Sequence, residues 1–237
     1  MDGTQAMTAT APIGPGQIRA RTLILIRWVA IIGQTIALLV VHYVLGFSLP
    51  IGWALAIVGV SALINIAVTM RKPVGGLDDQ RATRFLAYDI CQLAIMLYLT
   101  GGLGNPIAFL LLAPVTVSAT TLSLRSTLAL CAFSLGCITV LAQWYMPLPW
   151  GANALVLPLT YILGVWTALA IGILFFAAYT WRVADEARRL SSALSAIQQA
   201  LDRELRVSAV GGLAAAAAHE LGSPLGTIAV AANEIAR

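Results

Sequence analysis

The chain has 237 residues, of which 59% are hydrophobic and only 10% charged, with a mean hydropathy of +0.88. A soluble domain carries about 25% charged residues, so a wholly water-soluble globular protein is excluded and lipid is the solvent of most of the chain. The net charge of +4 comes with no basic cluster interleaved with aromatics, which excludes direct nucleic-acid binding.

Residues 1–22 read as a disordered cytoplasmic tail. Its first part is rich in Ala, Thr, Gly and Pro and has no basic n-region, and the apolar run that follows is long enough to span, so it is not a signal peptide. Six segments then approach the roughly 20 apolar residues that a span needs: residues 23–45, 49–70, 85–100, 106–122, 127–145 and 155–181. The expected fold is therefore all-α, a six-span transmembrane helical bundle over residues 23–181.

The charges set the topology. Arg19, Arg21 and Arg27 precede or begin the first span; Arg71, Lys72, Arg81 and Arg84 lie between the second and third; Arg125 sits between the fourth and fifth; Arg182, Arg188 and Arg189 follow the sixth. The opposite connections, 46–50, 101–105 and 146–154, carry no charge. Both termini are expected in the cytoplasm of a bacterial cell, with the spans in the inner membrane. The uncharged connections are too short to fold into a sensor domain, so any input must be read within the membrane: a lipid-soluble molecule, a partner membrane protein, or the bilayer itself.

Two features interrupt the apolar body. The connection Gly101-Gly102-Leu103-Gly104-Asn105-Pro106-Ile107 has the chemistry of a tight turn, with Asn105 capping the next helix and Pro106 at its first position. A second reading is open, because backbone N–H groups at a helix N-terminus can donate to a ligand's carbonyl oxygen. It is not a phosphate loop, since it lacks the Gly-Lys-Ser/Thr ending. Asp89 is the other feature. An acid inside a span is a functional candidate by default, although an ion pair with Arg81, Arg84 or Lys72 would make it structural. Pro114 and Pro158 are expected to kink the fourth and sixth spans, and Thr116, Ser118, Thr120 and Thr121 imply that the fourth packs against protein. Cys91, Cys131 and Cys137 lack CxxC or metal spacing and read as small apolar packers, with no metal site expected.

Residues 182–237 form the last part, a cytoplasmic linker helix and the start of a dimerisation domain. Ala187, Leu190, Leu194, Ile197 and Leu201 alternate three and four apart, as in a coiled-coil seam. Leu205 then breaks the rhythm with a stutter. A parallel homodimer carrying motion of the spans inward is the preferred reading over a solvated helix. Gly211-Gly212 is expected to loosen this helix. In the run Ala218-His219-Glu220-Leu221-Gly222-Ser223-Pro224, the carboxylate next to His219 can take the Nδ1 proton and make Nε2 the nucleophile. Ser223, four residues on, shares the helical face and can orient a water, while Pro224 bends the helix beside the site. A HExxH metalloprotease is excluded, because Ser223 stands where the second histidine would be.

The segment 213–228, LAAAAAHELGSPLGTI, resembles the phosphoacceptor box of sensor histidine kinases. It is most similar to that of the RegB/PrrB-type redox-responsive kinases, where glycine follows HEL. GGLGNPI likewise resembles that family's quinone-associated GGxxNPF, and the order of spans, linker and box is similar along essentially the whole chain. The resemblance implies that His219 is the autophosphorylated residue, attacking the γ-phosphoryl of Mg-ATP, with Glu220 as acid/base. Ser223 then occupies the position of the Thr or Asn that serves dephosphorylation of the response regulator. It also implies a ubiquinone site shaped by Gly101, Gly102, Asn105 and Pro106, where Ile107 replaces the family's Phe. The implied partners are membrane lipid, a second copy, a response regulator with a receiver aspartate, and the quinone pool or a terminal oxidase. No nucleotide-binding boxes occur before Arg237, so the expectation is a kinase fragment without its ATP-binding domain. The competing expectation is a small six-span transport or scaffold protein with an incidental His-Glu motif.

Overall fold

The computed structural model describes residues 20–70, 78–147 and 157–235. Residues 1–19, Arg71 and Lys72, and the expected start of the last span at Leu155 lie outside them, whereas Ala20, Arg21 and Thr22, expected in the disordered tail, are helical. Every regular element among the described residues is helical: α1 (Ala20–Leu39) with a π-helical end (Val40–Val44), α2 (Ile51–Met70), α3 (Asp79–Leu99), a 3₁₀ turn (Gly102–Gly104), a 3₁₀ helix (Pro106–Leu111), α4 (Leu112–Thr121), α5 (Leu124–Gln143) and α6 (Leu159–Ile235). Among the described residues five stretches are long and apolar enough to cross a membrane, the first taking in both α1 and its π-helical end; the fourth expected span, Pro106–Thr121, is shorter.

Two prolines explain the short span. Pro106 opens it, and Pro114 has no N–H to give the carbonyl of Leu110, so the backbone between them winds as 3₁₀ rather than α. Because a 3₁₀ residue rises more than an α residue, Pro106–Thr121 still extends about 27 Å, close to the thickness of the hydrocarbon core. Pro158 does not kink the last span as expected. It precedes α6, and its carbonyl accepts from the N–H groups of Tyr161 (2.9 Å) and Ile162 (3.3 Å).

The third helix is also longer than the apolar pattern implied, starting at Asp79 instead of residue 85, so Arg81 and Arg84 are helical and not in a connection. Asp79 explains the extension. Its carboxylate accepts from Ser123 N (2.9 Å), Ser123 Oγ (2.9 Å) and Ser126 Oγ (2.6 Å), tying the start of α3 to the turn between α4 and α5. At the other end of α3, Met146 N donates to Tyr98 O (2.8 Å). Arg81, Arg84 and Arg125 thus share one end of the bundle, and the uncharged connections at 101–105 and after α5 share the other.

α3 is the least apolar candidate span, with a mean hydropathy of 1.2, yet the most enclosed. Polar side chains are costly against lipid, so the helix that carries Asp89 and Gln92 occupies the interior. Leu86, Ile90, Leu93 and Leu97 pack there with Leu111 and Val115 from the fourth segment, Leu130 and Ile138 of α5, and Leu169 and Ile173 of α6. A second cluster joins α1 and α2 through Ile31, Leu38, Ala54 and Val58, with Met96 of α3. Ser118 and Ala119 are buried as expected for a span packed on protein, whereas Thr120 is exposed. Of the cysteines, Cys131 is buried, Cys137 half-buried and Cys91 exposed, so Cys91 does not pack inside the bundle.

Residues 185–237 form a separate unit. Within it Leu190, Leu194, Ile197, Leu201 and Leu205 are all more than half exposed, an apolar row without a cover in the single chain.

Candidate functional site

The histidine run lies on α6. The backbone at His219, Glu220 and Ser223 is helical, so His219 and Ser223 stand about 6 Å apart along the axis, one turn from each other. The helix continues through Gly211-Gly212 and Pro224, so neither marks a helix end. The side chains of His219, Glu220 and Ser223 lie outside the described residues.

The glycine turn is fully described, and its geometry comes from hydrogen-bond economy. Gly101 (φ 105°) and Gly102 (φ 60°) adopt the left-handed region that other residues avoid. Asn105 Oδ1 accepts from Ile107 N (2.9 Å), capping the 3₁₀ helix that Pro106 begins. Its Nδ2 donates to Thr100 O (3.0 Å) and Thr100 Oγ1 (2.8 Å), while Thr100 Oγ1 donates to Met96 O (2.8 Å). Asn105 therefore staples the end of α3 to the start of the next helix. The first N–H groups of that helix are also occupied: Pro106 has none, Ile107 is capped, and Ala108 N donates to Asn105 O (2.9 Å). The capping roles read from the sequence hold, and the donors a ligand would need at this helix start are used internally.

Gly102 sits beneath the ring of Tyr145. A Cβ at Gly102 would lie 2.6 Å from Tyr145 Cγ and 2.7 Å from its Cβ, whereas one at Gly104 would meet only the tip of Leu157, at 2.8 Å. Gly102→Ala is expected to cost about 1–2 kcal/mol from the left-handed backbone alone, with the clash in addition. Gly104→Ala should show a clearly smaller loss, because a leucine tip can turn away. Thermal unfolding of the two variants in micelles compares them; equal stability would show that the turn is not held as described.

Sequence reasoning missed the third constellation. Arg27, eight residues into α1, is 6% exposed, and its Nη2 lies 3.1 Å from Asp89 Oδ1. Among the described residues the partner of Asp89 is therefore Arg27 of the first span, not Arg81 or Arg84, and Lys72 lies outside them. The guanidinium also stacks against Phe85 (5.4 Å to the ring centre) and Tyr88 (5.6 Å). Around the pair, Gln92 Nε2 donates to Gln34 Oε1 (2.8 Å), Ser61 Oγ meets Tyr88 Oη at 3.0 Å, and Asn65 Nδ2 donates to Ile24 O (3.2 Å). The readable signal was a basic residue within one apolar run and an acid within another, since buried charges must pair. With Arg27 beside it, Asp89 no longer favours the transport reading.

No protein-family model matches the chain. No solved structure matches it. Among curated proteins it is 44% identical over 220 residues to the sensor histidine kinase RegB of Cereibacter sphaeroides, covering 92% of this chain and 48% of that protein. A second sensor histidine kinase RegB, from a designated strain of the same species, is 45% identical over 221 residues with the same coverage. The chain thus spans about half the length of the curated relatives it matches. Over that span, which takes in nearly all of its own residues, the chain is a relative of the RegB-type sensor histidine kinases.

Proposed function

We propose that the chain is the membrane sensor and phosphoacceptor region of a two-component sensor kinase in a bacterial inner membrane, with both termini in the cytoplasm. The observation that carries this reading is the 44% identity to RegB over 92% of the chain, in a chain whose last helix bears His219-Glu220. His219 attacks the γ-phosphoryl of Mg-ATP delivered by a catalytic domain of the full-length protein. Glu220 holds the Nδ1 proton so that Nε2 is the attacking nitrogen. Ser223 orients the water that removes phosphate from the partner response regulator, whose receiver aspartate takes the phosphoryl group from His219. The exposed leucine row from Leu190 to Leu205 is the seam of a parallel homodimer. The test is transfer of label from Mg-ATP to a protein of the relatives' full length, in liposomes. An acid-labile, base-stable phosphoryl group supports a phosphohistidine, and absence of label overturns the kinase reading.

Redox control through ubiquinone is a separate proposal, in which Gly101, Gly102, Asn105 and Pro106 shape the quinone site and the quinone pool or a terminal oxidase sets the input. It is favoured by the likeness of GGLGNPI to the family's quinone-associated segment and opposed by the internal use of the Asn105 amide. Asn105→Ala should weaken binding of a short-chain quinone analogue several-fold by loosening the turn that shapes the site, because the amide itself is held by Thr100 and Ile107. It should also cost about 1 kcal/mol of stability through the lost cap. Unchanged quinone affinity in a folded variant removes the site from this turn.

A further inference from the structure

α3 and α5 lie side by side and run the same way. Asp79 at the start of α3 meets Ser123 and Ser126 at the start of α5, and Tyr98 O near the end of α3 accepts from Met146 N just past α5. The seam between them has one side on the apolar core and one side open. On the open side α3 presents Arg84, Cys91 and Tyr98, spaced by seven along one helical face and all exposed. At the same spacing α5 presents Ser126, Phe133 and Val140, the last two exposed. Arg125 is turned away from the buried Thr127 and Leu130 and so toward this side as well. A Cβ at Gly136 meets nothing within 4 Å, so no other part of the chain covers α5 there.

The basic end of this seam carries charge that the protein does not answer. Arg81, Arg84 and Arg125 are exposed, and among the described residues none of them has an ion-pair partner. Two acids share this end. Asp78 lies before the helix, and Asp79 is occupied by Ser123 and Ser126. Arg84 stands about 8 Å along α3 from Asp79. Side chains of a helix lean toward its start, so the guanidinium of Arg84 rises toward the level of Arg125. Arginines at the head of an open apolar seam complement an anion that carries its own hydrocarbon chain. We infer that the seam binds an anionic phospholipid, its phosphate between Arg84 and Arg125 and an acyl chain along Cys91, Phe133 and Val140. A zwitterionic lipid brings an ammonium beside the same phosphate, so the arginines favour it less. The site needs neither the histidine helix nor its phosphorylation, so its test stands apart from the kinase reading.

The test is native mass spectrometry of the full chain in detergent, titrated with dioleoyl phosphatidylglycerol or dioleoyl phosphatidylcholine. The anionic lipid should be retained at the lower concentration. Arg84→Gln combined with Arg125→Gln should raise its half-saturating concentration about fivefold per arginine, with the melting temperature unchanged because neither side chain has a protein partner. Arg84→Lys with Arg125→Lys should keep most of the binding, since an ammonium also serves a phosphate. Arg203→Gln with Arg206→Gln removes the same charge from exposed positions beyond the bundle and should bind as the wild type does. Saturating phosphatidylglycerol should also slow alkylation of Cys91 by a lipid-soluble maleimide, read by peptide mapping, because the acyl chain covers that thiol. Equal retention of the two lipids, full binding by the double glutamine variant, an equal loss in the Arg203/Arg206 control, or unchanged alkylation of Cys91 overturns the inference. Displacement of the lipid by free glycerol phosphate at matched concentration would assign the arginines to a soluble anion and overturn it too.

Discussion

His219→Gln is expected to reduce phosphoryl transfer from Mg-ATP to background in a protein of the relatives' full length, while leaving the melting temperature and the membrane insertion unchanged. The glutamine keeps a polar side chain of similar size but has no ring nitrogen to form a phosphoramidate. The loss is therefore of the nucleophile itself, not of its environment. Glu220→Gln should act more mildly. It retains a hydrogen-bond acceptor for Nδ1–H but removes the charge that supports a cationic ring as the bond forms, an effect of about 10²–10⁴ for acid–base assistance. Label measured on both variants separates the two roles. Wild-type labelling of His219→Gln would move the phosphoacceptor elsewhere.

Arg27→Leu is expected to be among the most destabilising single changes in the membrane body. Arg27 is 6% and Asp89 18% exposed, and removing one member of a buried pair costs about 3–5 kcal/mol because the other charge is left without compensation. Asp89→Leu should cost as much, for it strands an arginine. The double replacement Arg27→Leu/Asp89→Leu should recover most of the loss, since apolar side chains of similar bulk often substitute for such a pair at little cost. Arg27→Lys should fall between, keeping the charge but losing the flat guanidinium that stacks on Phe85 and Tyr88. Unfolding of the four variants in mixed micelles gives the coupling directly. Additive losses would mean that α1 and α3 are not joined through this pair.

The stapled glycine turn and the Arg27–Asp89 pair divide the work of holding α3. The turn fixes the end of α3 to the next helix through Asn105 and to the end of α5 beneath Tyr145. Asp79 fixes the opposite end of α3 to Ser123 and Ser126. Arg27 joins its middle to the first span. Since α3 contributes to both apolar clusters, these ties fix the helix that touches most of the bundle.

The sequence by itself determined the membrane body, the sidedness of its charges, the turn chemistry of Asn105 and Pro106, and the position of the histidine run on a helix. All of these are local: a span shows in about twenty consecutive apolar residues, a cap in one asparagine before a proline, and the histidine run in seven contiguous positions. Only the tertiary structure decided which charge answers Asp89. Arg81 and Arg84 are nearer in sequence, but they lie a turn or more toward the helix start on the same element, whereas Arg27 is brought to 3.1 Å by the packing of α1 on α3. The same holds for the extension of α3 to Asp79, whose three acceptor bonds come from the α4–α5 turn more than forty residues away. A pairing across helices depends on the angle and register at which they meet. Hydropathy along one chain carries no record of either, so the polar centre of this membrane body became visible only once its helices were packed.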